Sequence, residues 1–214
     1  MNSDKYKIQE RFPGNVVPYW NKDGIPQYCL KDLINDYKSR KKLKYIFFWG
    51  HQPSRSGEIT KTCFSQWWKC KFIEDGNEYN CAEQYMMAKK AQLFKDIEIY
   101  NKIMNSRYPK EIKALGRKIR NFDEDIWNKE KYSIVLNGNY AKFSQNEDLM
   151  KFLIGTKNRV IAEASPYDNI WGIKMSSDDP RIEDPVSWKG QNLLGFALME
   201  VRDELIRVHG YEND

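Results

Sequence analysis

Apolar positions along this chain recur mostly with the spacing of a helix and only briefly with that of a strand. Leu30, Leu33, Ile34 and Tyr37 share one face of "LKDLINDYKSRKKLK", which predicts a helix. "NCAEQYMMAKKAQLF", from Asn80 to Phe94, predicts another. Pro109 stands at the first turn of a helical "PKEIKALGRKIR", and Asp123 is placed to cap "EDIWNKEKYSIVLN". "NEDLMKFLIGT" is amphipathic and ends near Gly155, while "NLLGFALMEVRDELIRV" is a strongly apolar closing helix. Strand signals are shorter. They are "YIFFW" (Tyr45 to Trp49), "NRVIAEAS", and two runs in "SQWWKCKFIEDGNEYN" on either side of a hairpin turn at Asp75-Gly76. "GHQPSRSGEIT" and "SSDDPRIEDPVSWKG" read as loops, and residues 1–28, broken by Pro13, Gly14, Pro18 and Gly24, as an irregular polar arm. No internal repeat, no strand–helix–strand alternation and no Gly-rich phosphate loop is visible, which argues against Rossmann and P-loop folds. The pattern therefore predicts an α+β fold, a predominantly helical single domain with a small sheet. Residues 1–44 form an amino-terminal arm and helix, and 45–208 the domain.

Composition narrows the function more than the fold. With 41% hydrophobic and 14% aromatic residues, the chain of 214 can build a core despite a mean hydropathy of -0.78. Seven tryptophans and thirteen tyrosines serve cores and nucleobase pockets alike. A formal charge of +5 suits a phosphorylated small molecule and does not by itself argue for nucleic acid. The run "KSRKKLK", Lys38 to Lys44, reads as a solvated helix end before it reads as a binding patch. Cys29, Cys63, Cys70 and Cys81 form no C-x-x-C pair, and His51 and His209 are the only histidines, so no metal site is expected. The amino terminus has no apolar core of a signal peptide, and no stretch has the length of a membrane span. Reduced thiols and a cytoplasmic location are the expectation. Cys63, twelve residues after His51, lacks a third orienting group and is a weak nucleophile candidate.

Helical spacing puts Glu83, Met86, Met87 and Lys90 on one face, a carboxylate and an ammonium on a stripe that the methionines mark as buried. Asn80-x-x-Glu83 also fits a capping box, in which Glu83 reaches back to the Asn80 backbone. A catalytic acid or base is the competing reading. Lys90, about 10 Å along the helix axis, is either a lysine laying its stem over Met87 or an amine that binds phosphate or attacks a sugar carbon. Lys89 points elsewhere and is the weaker candidate. Asp168 and Trp171 in "ASPYDNIWGI" either cap a turn and fill the core or set a carboxylate beside an aromatic wall. "WGHQPSR" places Trp49, Gly50, His51 and Arg55 just after a strand, where loops commonly hold ligands, and "FSQWW" adds Ser65, Gln66 and Trp67.

Seven blocks, "FWGHQPSRSGEIT", "CFSQWW", "AEQYMMAKKAQLF", "LGRKIRNFDEDIW", "KFSQN", "EASPYDNIWGI" and "WKGQNLLGFALMEVRDEL", stand in the order seen in NADAR (YbiA-like) proteins, and the chain resembles that family over about residues 45–206. One departure is Gln84, where the family usually has histidine; an amide there cannot ionise near neutral pH. The resemblance implies a helix-rich α+β fold and N-glycosidase activity without a cofactor. Members cleave phosphoribosylamino-pyrimidine intermediates of riboflavin biosynthesis, or remove ADP-ribose from guanine bases. Both substrates join ribose C1 to an exocyclic amine of a flat heterocycle. Nucleic acid is thus an expected partner only as a modified substrate, and a non-catalytic reader of ADP-ribose or NAD is the third reading. The resemblance assigns catalysis to Glu83, Lys90 and Asp168. It assigns binding to Trp49, Gly50, His51, Arg55, Ser65, Gln66, Trp67, Gln84, Trp171 and Gly172, and to Asn192, for which a helix N-cap is an equal alternative.

Overall fold

A computed structural model describes residues 25–209, so most of the expected irregular arm lies outside the described residues. The elements run α1 (Leu30–Lys38), β1 (Tyr45–Phe48), β2 (Phe72–Glu74), β3 (Asn77–Tyr79), α2 (Ala82–Leu93), α3 (Ile97–Asn105), α4 (Pro109–Gly116), α5 (Glu124–Ser144), α6 (Glu147–Ile154), β4 (Val160–Glu163) and α7 (Leu193–His209). The fold is α+β and predominantly helical, as the pattern predicts. It divides into two compact units, one containing Gln66–Asn146, the other Pro26–Ser65 and the chain from Glu147 on.

The first unit is built around α2. Helices α3, α4 and α5 all pack on it, so Ala82 to Ala88 are buried without a break and only the last turn, at Gln92, is exposed. The hairpin forms as expected: Asp75 and Gly76 both have positive φ (50° and 72°), and Phe72 pairs with Tyr79. Pro109 opens α4, and Asp123 caps α5 by accepting from the Ile126 N–H at 2.9 Å. Helix α4 stops at Gly116, short of Arg120. Helix α5 instead runs beyond the predicted "EDIWNKEKYSIVLN", through Gly138, to Ser144. The glycine there serves packing: a Cβ on Gly138 would come within 2.5 Å of the Tyr85 ring. Helix α3 has no counterpart among the predicted elements. Its β-branched Ile97, Ile99 and Ile103 suit a strand as well, and the helix is fixed by the Asp96 cap, whose carboxylate also takes Arg120 at 2.6 Å.

In the second unit β1 and β4 form a parallel pair, Tyr45 opposite Val160 and Phe48 opposite Glu163. The expected small sheet is therefore two separate two-stranded ones. Helix α7 packs on β4 and α6, and Gly195 lets it approach: a Cβ there would lie 2.1 Å from the Ile161 carbonyl oxygen. Helix α1, which precedes the expected boundary at residue 45, packs within this unit against a 3-10 turn at Pro185–Ser187 in the long polar loop.

Candidate active site

The face of α2 holds its charges as the spacing predicts. Glu83 is 3% exposed, Met86 and Met87 are buried beside it, and Lys90 is half-buried two turns on. The Lys90 Nζ donates to the Gly116 carbonyl at 3.2 Å and lies 4.2 Å from the Phe122 ring centroid and 5.2 Å from that of Trp127. Two aromatic rings and one carbonyl thus fix where the amine sits. Burial pulls the Lys90 pKa below its ordinary value, and the Glu83 charge acts in the opposite direction. Gly116 leaves room for this arrangement: a Cβ would fall 2.0 Å from the Met87 sulfur, and the Met87 side chain would have to move. Lys89 does point elsewhere, pairing with Asp75 at 2.6 Å. Phe122 and Trp127 escape sequence reasoning, although both flank the Asp123 cap signal in "NFDEDIW".

Two expectations for this helix are corrected. Glu83 does not close a capping box: the N-cap is Cys81, with no side-chain cap, and the Glu83 N–H donates to the Gln66 carbonyl at 2.8 Å. Gln84 does the reaching back instead. Its Oε1 accepts from the Asn80 N–H at 2.9 Å, while Nε2 donates to the carbonyls of Ile103, Met104 and Ser106 at 3.0–3.2 Å. With its amide spent on the backbone around α3, Gln84 splices helices together and offers nothing to a substrate. Gln66 is different: it is buried beside Glu83, and its Nε2 has no hydrogen-bond partner among the described residues. An idle buried donor is the kind of group a ligand completes. Trp67 is half-buried, with the Lys113 Nζ 5.8 Å from its ring.

In the second unit the predicted residues gather on two loops. Trp49, Gly50, His51 and Arg55 follow β1; Asp168, Trp171 and Gly172 follow β4. Because the strands are parallel, both loops leave the same, carboxyl ends of the pair, the usual place for a ligand. Asp168 caps its turn, Oδ1 accepting from the N–H groups of Ile170 (2.9 Å) and Trp171 (2.8 Å); Oδ2 makes no hydrogen bond among the described residues. Trp49 is 54% exposed, and its ring centroid lies 6.3 Å from that of Tyr167, an 83% exposed residue that sequence reasoning passed over. Arg55 is exposed and forms no ion pair among the described residues, and the His51 Nε2 is 3.2 Å from the Gln52 amide. Gly50, with φ of 82°, makes the sharp exit from β1. Gly172 is buried where a Cβ would meet the Glu163 carbonyl oxygen at 2.8 Å. Ser65 is buried at the end of a 3-10 turn, and Cys63 is wholly buried within that turn.

Asn192 is the third correction. It is fully buried, its Oδ1 accepts from the Glu163 N–H at 3.1 Å and its Nδ2 donates to the Ile161 carbonyl at 2.9 Å. The side chain stitches α7 to the edge of β4, so it neither caps the helix nor reaches a ligand. Among the described residues, no group of three or more His, Cys, Asp or Glu side chains could hold a metal ion, and no helix is long and apolar enough to cross a membrane.

Comparisons with known proteins agree with this picture. The model of the NADAR domain family matches residues 47–206. The chain is 47% identical over 166 residues to N-glycosidase R617 of Acanthamoeba polyphaga mimivirus, covering 75% of this chain and 96% of that protein. It is 28% identical over 131 residues to N-glycosidase YbiA of Shigella flexneri, covering 61% and 73%. The solution structure of Escherichia coli YbiA shares its fold, with a TM-score of 0.63 at 23% identity over 80% of this chain and 90% of that one.

Proposed function

The chain belongs to the NADAR domain family, and from that premise we propose that it is an N-glycosidase. Its substrate class is a glycosylamine, in which ribose C1 is bonded to the exocyclic amine of a flat heterocycle, and the phosphoribosylamino-pyrimidines are its first candidates. The observation that carries the reading is the α2 face: a buried carboxylate and an amine of lowered pKa, held on one rigid helix.

Such a bond breaks when its nitrogen is protonated and charge builds on C1 as in an oxocarbenium ion. Glu83 donates the proton to the leaving nitrogen and then takes one from the water that attacks C1, so that ribose and a free arylamine result. The idle Gln66 amide donates to a polar atom of the bound substrate. Lys90 has two roles open to it. As an ammonium it stabilises the sugar phosphate. As a neutral amine it attacks C1 of the ring-opened imine, expels the arylamine and is released by water. For the strand-end loops the family resemblance gives Asp168 to the ribose hydroxyls or to proton transfer, and its Oδ2, outside the turn, is the oxygen left for either role. It likewise gives Arg55 to a phosphate and Trp171 to the pocket wall, and we add Trp49, an exposed ring beside Tyr167, as a stacking face for the base.

The test is to offer the purified chain a phosphoribosylamino-pyrimidine and, separately, a guanine-ADP-ribosylated oligonucleotide, and to follow base release by mass spectrometry. Release from the first supports the proposal in full. Release from the oligonucleotide alone would transfer the same chemistry to modified nucleic acid, as the mild charge of +5 does not favour. Binding with no product from either would leave an ADP-ribose reader and overturn the catalytic reading.

A further inference from the structure

At the opposite, amino-terminal ends of β1 and β4, away from the loops just described, the second unit encloses a cavity of about 760 Å3. Its floor is apolar: Leu33 of α1, Val160 at the start of β4, and Phe196 and Met199 of α7, all buried. One wall is tied in place by polar contacts. The Gln27 N–H donates to Glu200 at 2.6 Å, and the Tyr28 hydroxyl donates to Asp203. Arg202, buried and also lining the cavity, bonds Asp203 at 3.1 Å, Thr156 at 3.2 Å and the Arg159 carbonyl at 2.8 Å. The shape is therefore pre-formed.

The rim carries an excess of positive charge. Lys41 is neutralised by Asp36 at 2.9 Å, but Lys42, Lys44 and Lys157 form no ion pair among the described residues. Against these three the lining offers one carboxylate outside an ion pair, Asp32, which accepts from the Cys29 thiol at 3.2 Å. A bare anion would need the lysines but not the apolar floor, and a neutral apolar ligand the reverse. The volume is that of a small-molecule site.

We propose that this cavity is a second ligand site that takes a small organic phosphate of mononucleotide size. The body of the ligand lies on Leu33, Phe196 and Met199, and Lys42, Lys44 and Lys157 hold the phosphate as point charges. Leu33, Lys42 and Lys44 all come from the segment before β1, so the site gives that segment a role that the glycosidase chemistry does not use. A nucleic-acid strand fits less well, since backbone phosphates make no use of a concave apolar floor.

Methionine-methyl NMR of the full chain, titrated with adenosine 5′-monophosphate, tests this directly. The Met199 methyl reports on the cavity, and Met86 and Met87 report on the α2 face. A saturable shift of Met199 is expected. Inorganic phosphate should bind about tenfold more weakly or worse, because it lacks the body. The double variant Lys44→Glu/Lys157→Glu should weaken the nucleotide about tenfold or more. Both lysines are exposed, so the variant should keep the Met199 resonance of the free protein. The proposal is overturned if millimolar nucleotide leaves Met199 unmoved, if the charge reversal does not weaken binding, if phosphate alone binds equally well, or if an oligonucleotide binds the lysines without moving Met199. The readout is binding, so it stands whether or not the chain cleaves a glycosyl bond.

Discussion

The α2 face and the strand-end loops hold their candidate residues in opposite ways. Glu83 and Lys90 project from a helix packed on three others, with glycines at 116 and 138 cut to fit Met87 and Tyr85. Trp49, Arg55 and Tyr167 stand exposed on loops whose backbone is set by Gly50 and by the Asp168 cap. A buried face can shift a pKa and hold an acid in one place, because water is excluded and neighbours cannot move. An exposed loop can do neither, but it can meet ligands of several shapes. On the proposed reading bond breaking falls to the helix and recognition to the loops, and substitutions on each side test that division.

The largest effect belongs to Glu83. Glu83→Gln keeps the size and shape of the side chain, so the variant should still fold cooperatively while kcat falls by about 10²–10⁴-fold. Steady-state kinetics beside calorimetry reads both quantities. A folded variant with near-normal kcat would remove the chemistry from the helix and break the comparison outright.

Lys90→Met should come next, with kcat lower by about 10²-fold and the apolar stem retained. Its pH behaviour separates the two roles. Since the folded pKa is lowered, the folded state sheds this proton at a lower pH than the unfolded chain does. Lys90 therefore opposes folding while it is charged, and that penalty is relieved as pH rises from the lowered value toward 10.5. If the neutral amine attacks C1, activity rises across the same window, and borohydride with substrate leaves a mass adduct on Lys90. If the ammonium is what matters, activity falls there and no adduct forms.

Gly116→Ala tests the packing behind that amine. The new Cβ collides with the Met87 sulfur, and overpacking of this kind costs about 1–3 kcal/mol. Denaturant unfolding should show the loss, and the Lys90 limb of the pH profile should move with it, since the Gly116 carbonyl accepts from Lys90. A stable variant with an unchanged profile would mean that the helix packing does not position the amine.

Signals carried by a few adjacent residues were legible before the structure: the Asp75-Gly76 turn, Pro109, the Asp123 cap and the stripe of α2. What stayed hidden depends on residues far apart in the chain. That α5 continues through Gly138 is explained only when Tyr85 is seen to occupy the place of its missing Cβ. Gln84 and Asn192 read as polar groups free for a ligand until their amides are found bonded to α3 and β4. Phe122 and Trp127 become the cage of Lys90 only when α2 lies against α4 and α5. For the same reason no periodicity shows that β1 and β4 pair in parallel.

The smallest effect is expected on the loops. Trp49→Ala removes an exposed ring, so stability should stay within about 0.5 kcal/mol of the parent. Loss of one stacking face should cost the substrate about 1 kcal/mol, which reads as a several-fold rise in KM. The value of kcat should barely move, because the ring contributes equally to the ground state and the transition state. Trp49→Phe should recover most of the lost affinity, since a flat face remains beside Tyr167. Should Trp49→Ala instead lower kcat with KM unchanged, the loop would be acting on the transition state itself, and the division of labour between helix and loops would fail at its recognition end.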